Sequence, residues 1–214
     1  MNNFQYRTPM ENLKLVAVHP TVKFGKGGVL GQNVVIEEDV VIGDDCFIGH
    51  FVHIRPGSKL GDRVVLRSFC LVDPECTIGN DCSILPHATV GGQAVLEDKV
   101  YFGPYSLTTN VSQFGFHRNK KAVVEPVTIK YGAIIAAGCM IKAGVIIGRN
   151  SMLGLGSVLT KDIPDNEMWF GNPARKHRDI DEDEKVIYNE EEVSRILVDY
   201  HQENIWPYSM KDIE

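Results

Sequence analysis

Apolar residues recur at every sixth position along most of this chain. Before residue 108 the large apolar positions keep one register: Val18, Phe24, Leu30, Ile36, Ile42, Ile48, Ile54, Leu60, Leu66, Val72, Ile78, Ile84, Val90, Leu96 and Phe102. A small or β-branched residue stands two positions before most of them, and glycine often follows them. A short period held this long predicts a solenoid, in which each repeat buries its apolar face only against the next repeat.

The same period returns in a shifted register after an interruption at residues 108–126. The large positions are then Ile129, Ile135, Ile141, Ile147, Leu153 and Leu159. A hexapeptide period fits a triangular coil of three short strands and three turns, about 18 residues long. Equivalent positions in successive coils then stack ~4.8 Å apart as parallel strands. The two registers predict an all-β solenoid of about seven coils, and we attribute the glycine after each large residue to a tight corner.

The segments outside the repeat divide the chain into three parts. We expect residues 1–17 to cap the open N-terminal end and residues 18–164 to form the solenoid, from which residues 108–126 project as a loop. Residues 165–214 are predicted to form a C-terminal extension that is partly helical, because apolar residues recur there at helical spacing. These residues are Val193, Ile196, Leu197 and Tyr200.

Charge and cysteine content exclude several classes of function. The net charge of −6 leaves no basic excess for a nucleic-acid backbone or an anionic membrane surface. No secretory leader and no long apolar segment is visible, so we expect a soluble cytoplasmic protein. The five cysteines include no C-x-x-C pair and all fall on the small position of the repeat, so we interpret them as core residues rather than metal ligands or disulfides.

The aliphatic-glycine hexapeptide pattern resembles that of the hexapeptide-repeat acyltransferases, which implies a left-handed parallel β-helix. The segment 84–110, with Leu-Glu-Asp-Lys-Val-Tyr-Phe-Gly-Pro at 96–104 and Thr-Asn at 109–110, is similar to the branch that N-acetylates dTDP- or UDP-linked 3-amino or 4-amino deoxy sugars. His50-Phe-Val-His-Ile54 and the stretch 132–175 extend the resemblance. It implies acetyl-CoA as cosubstrate without a metal, a homotrimer with sites between subunits, and a place in lipopolysaccharide O-antigen synthesis.

Direct attack of an amine on a thioester requires an acceptor for the displaced proton and donors for the oxyanion. His87 lies three residues past Ile84, at an outward-pointing turn, and histidine suits proton removal near neutral pH. His87 also matches the position where members acting on 3-amino sugars commonly carry asparagine. The resemblance implies His87 and Asn110 as the catalytic residues. A structural hydrogen bond at a corner is the other interpretation of His87.

The remaining candidates bind the two substrates. Tyr105 stands one coil after His87, and the basic loop residues are suited to a pyrophosphate, although a solvated loop explains them equally. The candidate residues for the nucleotide sugar are His53, Arg67, Tyr105, Gln113, His117 and Arg118. For the cofactor, small residues leave room for the pantetheine arm along the coil edge, and two cations would face the CoA phosphates. The candidates are Ala137, Gly138, Gly154, Ser157, Lys161, Pro173 and Arg175.

Three other functions are compatible with a solenoid. An O-acetyltransferase acting on a sugar or serine hydroxyl would use the same cosubstrate. A γ-type carbonic anhydrase needs three histidines around zinc, and the chain has no H-x-x-x-x-H pair. A catalytically silent interaction scaffold would neither bind acetyl-CoA nor gain thermal stability from it. Formyl or longer acyl donors also remain open, because the repeat does not report acyl-chain length.

Overall fold

The computed structural model describes residues 5–6 and 16–186, and within them the chain forms a prism with three walls, built of parallel two-residue strands except for two longer strands at the end of the first wall. The strands are numbered in chain order. The first wall contains β1 (Gln5–Tyr6), β4 (Val29–Leu30), β7 (Phe47–Ile48), β10 (Val65–Leu66), β13 (Ser83–Ile84), β16 (Tyr101–Phe102), β21 (Ile134–Ile135), β24 (Met152–Leu153), β26 (Glu167–Gly171) and β27 (Ala174–Asp179). The second wall contains β2 (Ala17–Val18), β5 (Val35–Ile36), β8 (His53–Ile54), β11 (Leu71–Val72), β14 (Thr89–Val90), β17 (Leu107–Thr108), β22 (Met140–Ile141) and β25 (Val158–Leu159). The third wall contains β3 (Lys23–Phe24), β6 (Val41–Ile42), β9 (Lys59–Leu60), β12 (Thr77–Ile78), β15 (Val95–Leu96), β20 (Thr128–Ile129) and β23 (Ile146–Ile147).

The prism is a left-handed parallel β-helix: the coils are those expected from the repeat, and the hand is the one that the family resemblance implied. Each strand pairs with the strand one coil away, as in the register of Leu66 with Ile84 and of Ile84 with Phe102. From β4 onward the second residue of each regular coil strand points inward and is buried. The small residue two positions earlier is buried as well, so two residues in six fill the interior, and the next strand begins after a four-residue corner.

The solenoid is longer than the sequence pattern indicated, because Thr108 belongs to it. Thr108 takes an inward position, is 3% exposed, and accepts a 2.7 Å hydrogen bond from the Gly91 amide through its hydroxyl. A polar side chain whose hydrogen bond is satisfied can occupy the core at low cost, so the apolar pattern breaks before the coil does. The second wall consequently holds eight strands among the described residues, whereas about seven coils were predicted.

The glycine that follows the inward residue has a different role from the one predicted. A Cβ built on Gly43 would lie 2.5 Å from the Gly61 carbonyl carbon, and one on Gly103 would lie 2.6 Å from that of Ala136. These glycines are therefore required by the close approach of the next coil. The left-handed backbone conformation occurs two residues later, where most corners carry a side chain at φ between +51° and +66°.

The inserted loop is a hairpin on the corner between the second and third walls. Its strands β18 (Val111–Gln113) and β19 (Val123–Val124) pair antiparallel, and the Glu125 amide donates to the Asn110 carbonyl at 2.8 Å to close its base. After it, β20 pairs directly with β15, so the coil resumes in register.

The C-terminal extension, as far as it is described, is a β-hairpin and not a helix. β26 pairs with β24, β27 folds back on β26, and a single 3-10 turn follows at Glu182–Glu184. The amphipathic helix predicted around Val193–Tyr200 lies outside the described residues. At the other end, β1 adds to the first wall beside β4. The described residues contain no helix long and apolar enough to cross a membrane.

All five cysteines are buried in the core, as the repeat predicted. Their thiols contact corner carbonyl groups, for example Cys70 Sγ with the Leu85 oxygen at 3.0 Å. Burial raises the pKa of Cys70, Cys76 and Cys82 to about 12. The folded protein therefore keeps these thiols in their neutral, protonated form.

These thiols are expected to resist modification by a chromogenic disulfide reagent at pH 8 in the folded protein, because the thiolate is the reactive species. A thiol whose pKa is raised on folding contributes stability that is complete below its unfolded pKa and is lost as pH rises towards the folded value. Denaturant midpoints should therefore fall between about pH 9 and pH 12. Rapid reaction of the native protein at pH 8 would contradict the burial of these groups.

Candidate functional site

The corner between the first and second walls carries a ladder of parallel rings. Phe51, Phe69, His87 and Tyr105 occupy the same turn position in four successive coils, and we call them the aromatic ladder. Neighbouring ring centroids lie 4.7 to 4.9 Å apart, and the ring planes differ by 2° to 5°. The spacing equals the rise of one coil, so the backbone itself holds the rings face to face.

His87 is the third ring of this ladder. Its backbone lies at φ +62°, and its imidazole is sandwiched between Phe69 and Tyr105 at 4.7 Å on each side. The residue is exposed, and within residues 16–186 no hydrogen bond to its ring nitrogens is found. The nitrogens are therefore accessible at the ring edge, while both ring faces are covered.

The side chains of the ladder stop at Tyr105. The next two coils place Gly138 and Gly156 at the same turn position, with φ of +69° and +66°. A Cβ on Gly138 would meet nothing nearer than the Gly156 Cα at 3.9 Å, and one on Gly156 would meet nothing within 4 Å. The turn positions above Tyr105, which is 66% exposed, are therefore open, and we call this strip of the corner the groove.

The C-terminal hairpin borders the far end of this groove. A Cβ on Gly154 would lie 2.8 Å from the Phe170 Cβ, so Gly154 lets β26 pack against the corner. The buried Ser157 hydroxyl accepts a 3.0 Å hydrogen bond from the Gly171 amide and donates to the Gly154 carbonyl. Ser157 therefore fastens the hairpin to the coil and has no exposed side-chain atom to offer a ligand.

The structure brings most of the predicted cofactor residues together. Ala137, Gly138 and Gly154 lie on the corner that forms the groove, and Pro173 and Arg175 are exposed at the turn of the adjacent hairpin. Lys161 is separate, because it lies on the corner between the second and third walls, where it borders a cleft of about 430 Å³ with Lys142 at the base of the inserted loop.

The two predicted catalytic residues do not meet within one chain. Asn110 follows β17 on the corner between the second and third walls, whereas His87 precedes β14 on the opposite edge of the second wall. The amide nitrogen of Asn110 would lie 2.9 Å from a Cβ on Gly92, so it packs against the coil below.

The predicted substrate-binding residues fall into two groups. Gln113 donates a 2.8 Å hydrogen bond to the Lys121 carbonyl and so braces the hairpin, while His117 and Arg118 are exposed at its tip. Arg67 lies on the ladder corner, where its guanidinium stands 5.5 Å from the Phe47 ring centroid. His53, on the outer face of the second wall, is hydrogen-bonded through Nε2 to Glu37.

Sequence reasoning missed Phe51, Phe69 and Glu37. The two phenylalanines had a signal, because each stands 18 residues from the next ring of the ladder, the same spacing that linked His87 with Tyr105. Glu37 had no such signal, because it precedes His53 by 16 residues and not by the 18 residues of one coil. Within the part of the chain that the structure describes, no group of three or more histidine, cysteine or acidic side chains is arranged to hold a metal ion.

Two family models match the repeat. Residues 39–74 match the bacterial transferase hexapeptide model (six repeats), and residues 137–161 match the hexapeptide repeat of succinyl-transferase. The second match spans the two glycines of the groove.

Curated relatives match shorter stretches. A galactoside O-acetyltransferase of Lactococcus lactis is 33% identical over 99 residues, which is 42% of this chain and 45% of the relative. A dTDP-3-amino-3,6-dideoxy-α-D-galactopyranose 3-N-acetyltransferase of Aneurinibacillus thermoaerophilus is 47% identical over 47 residues, 22% of this chain and 24% of the relative. The chain thus matches less than half the length of either relative.

Among solved structures, the N-acyltransferase AntD from Bacillus cereus has the same fold. It superposes with a TM-score of 0.55 at 21% identity and covers 80% of this chain and 90% of its own. That structure contains dTDP-4-amino-4,6-dideoxyglucose and coenzyme A.

Proposed function

We propose that this chain, which matches bacterial transferase hexapeptide models over residues 39–74 and 137–161, is an acetyl-CoA-dependent N-acetyltransferase of a dTDP- or UDP-linked 3-amino or 4-amino deoxy sugar. The observation that carries this proposal is an accessible imidazole edge at His87, close to a groove whose turn positions, Gly138 and Gly156, carry no side chain. The short stretch shared with a dTDP-amino-sugar 3-N-acetyltransferase supports the substrate class.

The chemistry needs one proton acceptor and no covalent intermediate. The sugar amine attacks the thioester carbonyl, a C–N bond forms, the C–S bond breaks, and coenzyme A leaves as its thiol. The proton lost by the nitrogen passes to His87, whose nitrogens have no hydrogen-bond partner within the described residues, and then from His87 to the departing sulfur, so that coenzyme A leaves as the thiol. His53 suits this step less well, because it lies on the outer face of the second wall and not on the corner that carries the groove.

We assign acetyl-CoA to the groove above Tyr105. The pantetheine arm lies as an extended chain along Gly138 and Gly156, the two turn positions without a side chain, and the exposed Arg175 faces the phosphates. The floor formed by Tyr105 places the thioester beside His87, one coil step away.

The proposal also requires a homotrimer. Asn110 and Lys161 lie on the corner opposite the ladder, so they reach this groove only from a neighbouring subunit. A closed cyclic arrangement of three prisms brings that corner of one subunit to the ladder corner of the next, and yields three equal sites. The exposed His117 and Arg118 of the inserted loop then meet the nucleotide pyrophosphate. Light scattering of the purified protein should report a trimer.

Filling the groove should weaken cofactor binding without unfolding the protein. Asparagine tolerates a positive φ, so Gly156→Asn introduces a side chain into empty space at little backbone cost. We expect the Kd for acetyl-CoA, measured by calorimetry, to rise about 10-fold or more. Gly57→Asn is the control, because Gly57 has φ +71° on another corner. Equal affinities of the two variants for acetyl-CoA would show that acetyl-CoA does not bind in this groove.

The reaction itself is tested by release of coenzyme A. The purified protein is mixed with acetyl-CoA and each of the four combinations of dTDP or UDP with a 3-amino or 4-amino sugar, and free thiol is followed with a chromogenic disulfide. The buried cysteines keep the background low. Turnover with at least one amino sugar is expected. Binding of acetyl-CoA without turnover on any of them would refute the proposed substrate.

An O-acetyltransferase is the second candidate, since galactoside O-acetyltransferases from two bacteria match 42% of this chain. A galactoside and a matched amino sugar therefore belong in the same assay. Faster turnover of the galactoside would favour oxygen as the acceptor. If the protein neither binds acetyl-CoA nor gains thermal stability from it, the scaffold interpretation holds.

A further inference from the structure

Phe69 stacks on the face of the His87 ring that points away from the groove. Its centroid lies 4.7 Å from that of His87 with the planes 4° apart, and on its other side Phe51 stacks at 4.9 Å and 2°. The Phe69 side chain is itself 48% exposed, so it is not required to fill the core. A half-exposed aromatic residue at a left-handed φ of +66° is an unusual choice for a corner, where glycine or asparagine is the ordinary solution.

The two stacked rings restrict the rotation of the His87 imidazole. An exposed histidine on a corner samples several χ1 and χ2 states on a fast timescale. With Phe69 below and Tyr105 above, rotation about χ2 out of the coil plane would drive the ring edge into a neighbouring ring, since the gaps are only 4.7 Å. The nitrogens are therefore held in the plane of the coil, at the exposed edge.

Tyr105 alone does not provide this restraint. It covers the upper face of His87 and also forms the floor of the groove, so a ligand that lies on Tyr105 presses on the ladder from above. Phe69 is the support on the side away from the groove. Without it, the imidazole is free to tilt towards the coil below while Tyr105 stays in place.

We propose that Phe69 is a positioning residue, which keeps the His87 imidazole in the coil plane so that its nitrogen meets the attacking amine; this inference rests on the proposed acetyl transfer. Phe69 touches neither substrate nor cofactor. Its effect is on the geometry of proton transfer, where a displacement of about 1 Å costs up to about 100-fold in rate.

The kinetic test uses two substitutions on the same ladder. Phe69→Leu removes the ring next to His87, and Phe51→Leu removes an equally exposed ring that does not touch His87. We expect kcat to fall about 10-fold in Phe69→Leu with the KM for acetyl-CoA within 2-fold of wild type, and Phe51→Leu to change both by less than 2-fold. Phe69→Tyr should restore kcat, because it restores the ring face.

A second readout does not depend on catalysis. In protein labelled at histidine Cε1, the His87 ring proton lies between two aromatic faces and should show an upfield ring-current shift, assigned by its loss in His87→Phe. Phe69→Leu should reduce this shift, and Phe51→Leu should keep it.

Two results would overturn the proposal. Wild-type kcat in a Phe69→Leu protein whose ring-current shift has collapsed would show that ring geometry does not limit the reaction. Equal kcat losses and equal falls in Tm for both leucine variants would show that the ladder only stabilises the fold. A wild-type protein that has the upfield shift but transfers acetyl to no acceptor refutes the proposed function, and the positioning role with it, while leaving the ladder geometry intact.

Discussion

Replacing His87 with phenylalanine is expected to lower kcat about 100-fold or more, because general bases contribute about 10²- to 10⁴-fold to enzymatic rates. Phenylalanine is the informative substitution here. Phe51 and Phe69 occupy the same turn position with the same left-handed backbone, so a third phenylalanine keeps the ladder and removes only the nitrogens. The KM for acetyl-CoA should change little, since the groove lies beyond Tyr105. The measurement is coenzyme A release between pH 5.5 and pH 9.

His53→Phe is the matched control, because it removes the histidine that is bonded to Glu37 on the outer face of the second wall. It should retain more than about one tenth of wild-type kcat. His87→Asn removes the base with a residue that also tolerates the left-handed backbone. If both His87 variants keep near-wild-type kcat over the whole pH range, another group accepts the proton and the assignment of His87 is wrong.

Phe102→Ala is expected to lower the free energy of unfolding by about 3–5 kcal/mol, the usual cost of removing a buried aromatic side chain. Phe102 is 0% exposed and is the largest fully buried side chain of the prism. It lies between Ile84 below and Ile135 above, immediately before the loop is inserted. The cavity would therefore open where the two registers of the repeat meet. Urea denaturation followed by circular dichroism measures the effect.

Two variants bracket this prediction. Phe102→Leu leaves a smaller cavity and should cost less than Phe102→Ala. Phe51→Leu removes a half-exposed ring and should cost under about 1.5 kcal/mol, mostly as lost stacking. A loss below 1 kcal/mol for Phe102→Ala would mean that the interior at this coil collapses around the missing ring, contrary to the close packing of a solenoid core.

The repeat was sufficient to predict the fold, because two residues in every six are buried in the interior. Ile84, Ile135 and their equivalents face the interior whatever happens at the corners, so their register predicts walls, coils and core. Thr108 shows where this reasoning ends. Its burial depends on a hydrogen bond to the Gly91 amide, and a partner in the next coil is not visible in a list of apolar positions.

The site was less predictable, because its geometry comes from stacking between coils. The sequence pattern placed His87 on an exposed corner and linked it to Tyr105, but it did not show that Phe69 covers the other face. Asn110 and Tyr105 flank the same strand, β17, yet Asn110 lies on the opposite edge of the second wall. To predict which side chains meet, one must know the corner that each residue occupies as well as its register. The corner is known only from the three-walled structure.

The inserted loop leaves the coil after Thr109 and returns before Val127 without shifting any strand pairing, since β20 stacks on β15 as closely as the coils elsewhere do. The hairpin can therefore be replaced without changing the coils that carry it. Its length and chemistry can be replaced by grafting, or selected during evolution, while the walls that hold the ladder keep their geometry. Acceptor preference can diverge on a conserved framework in this way.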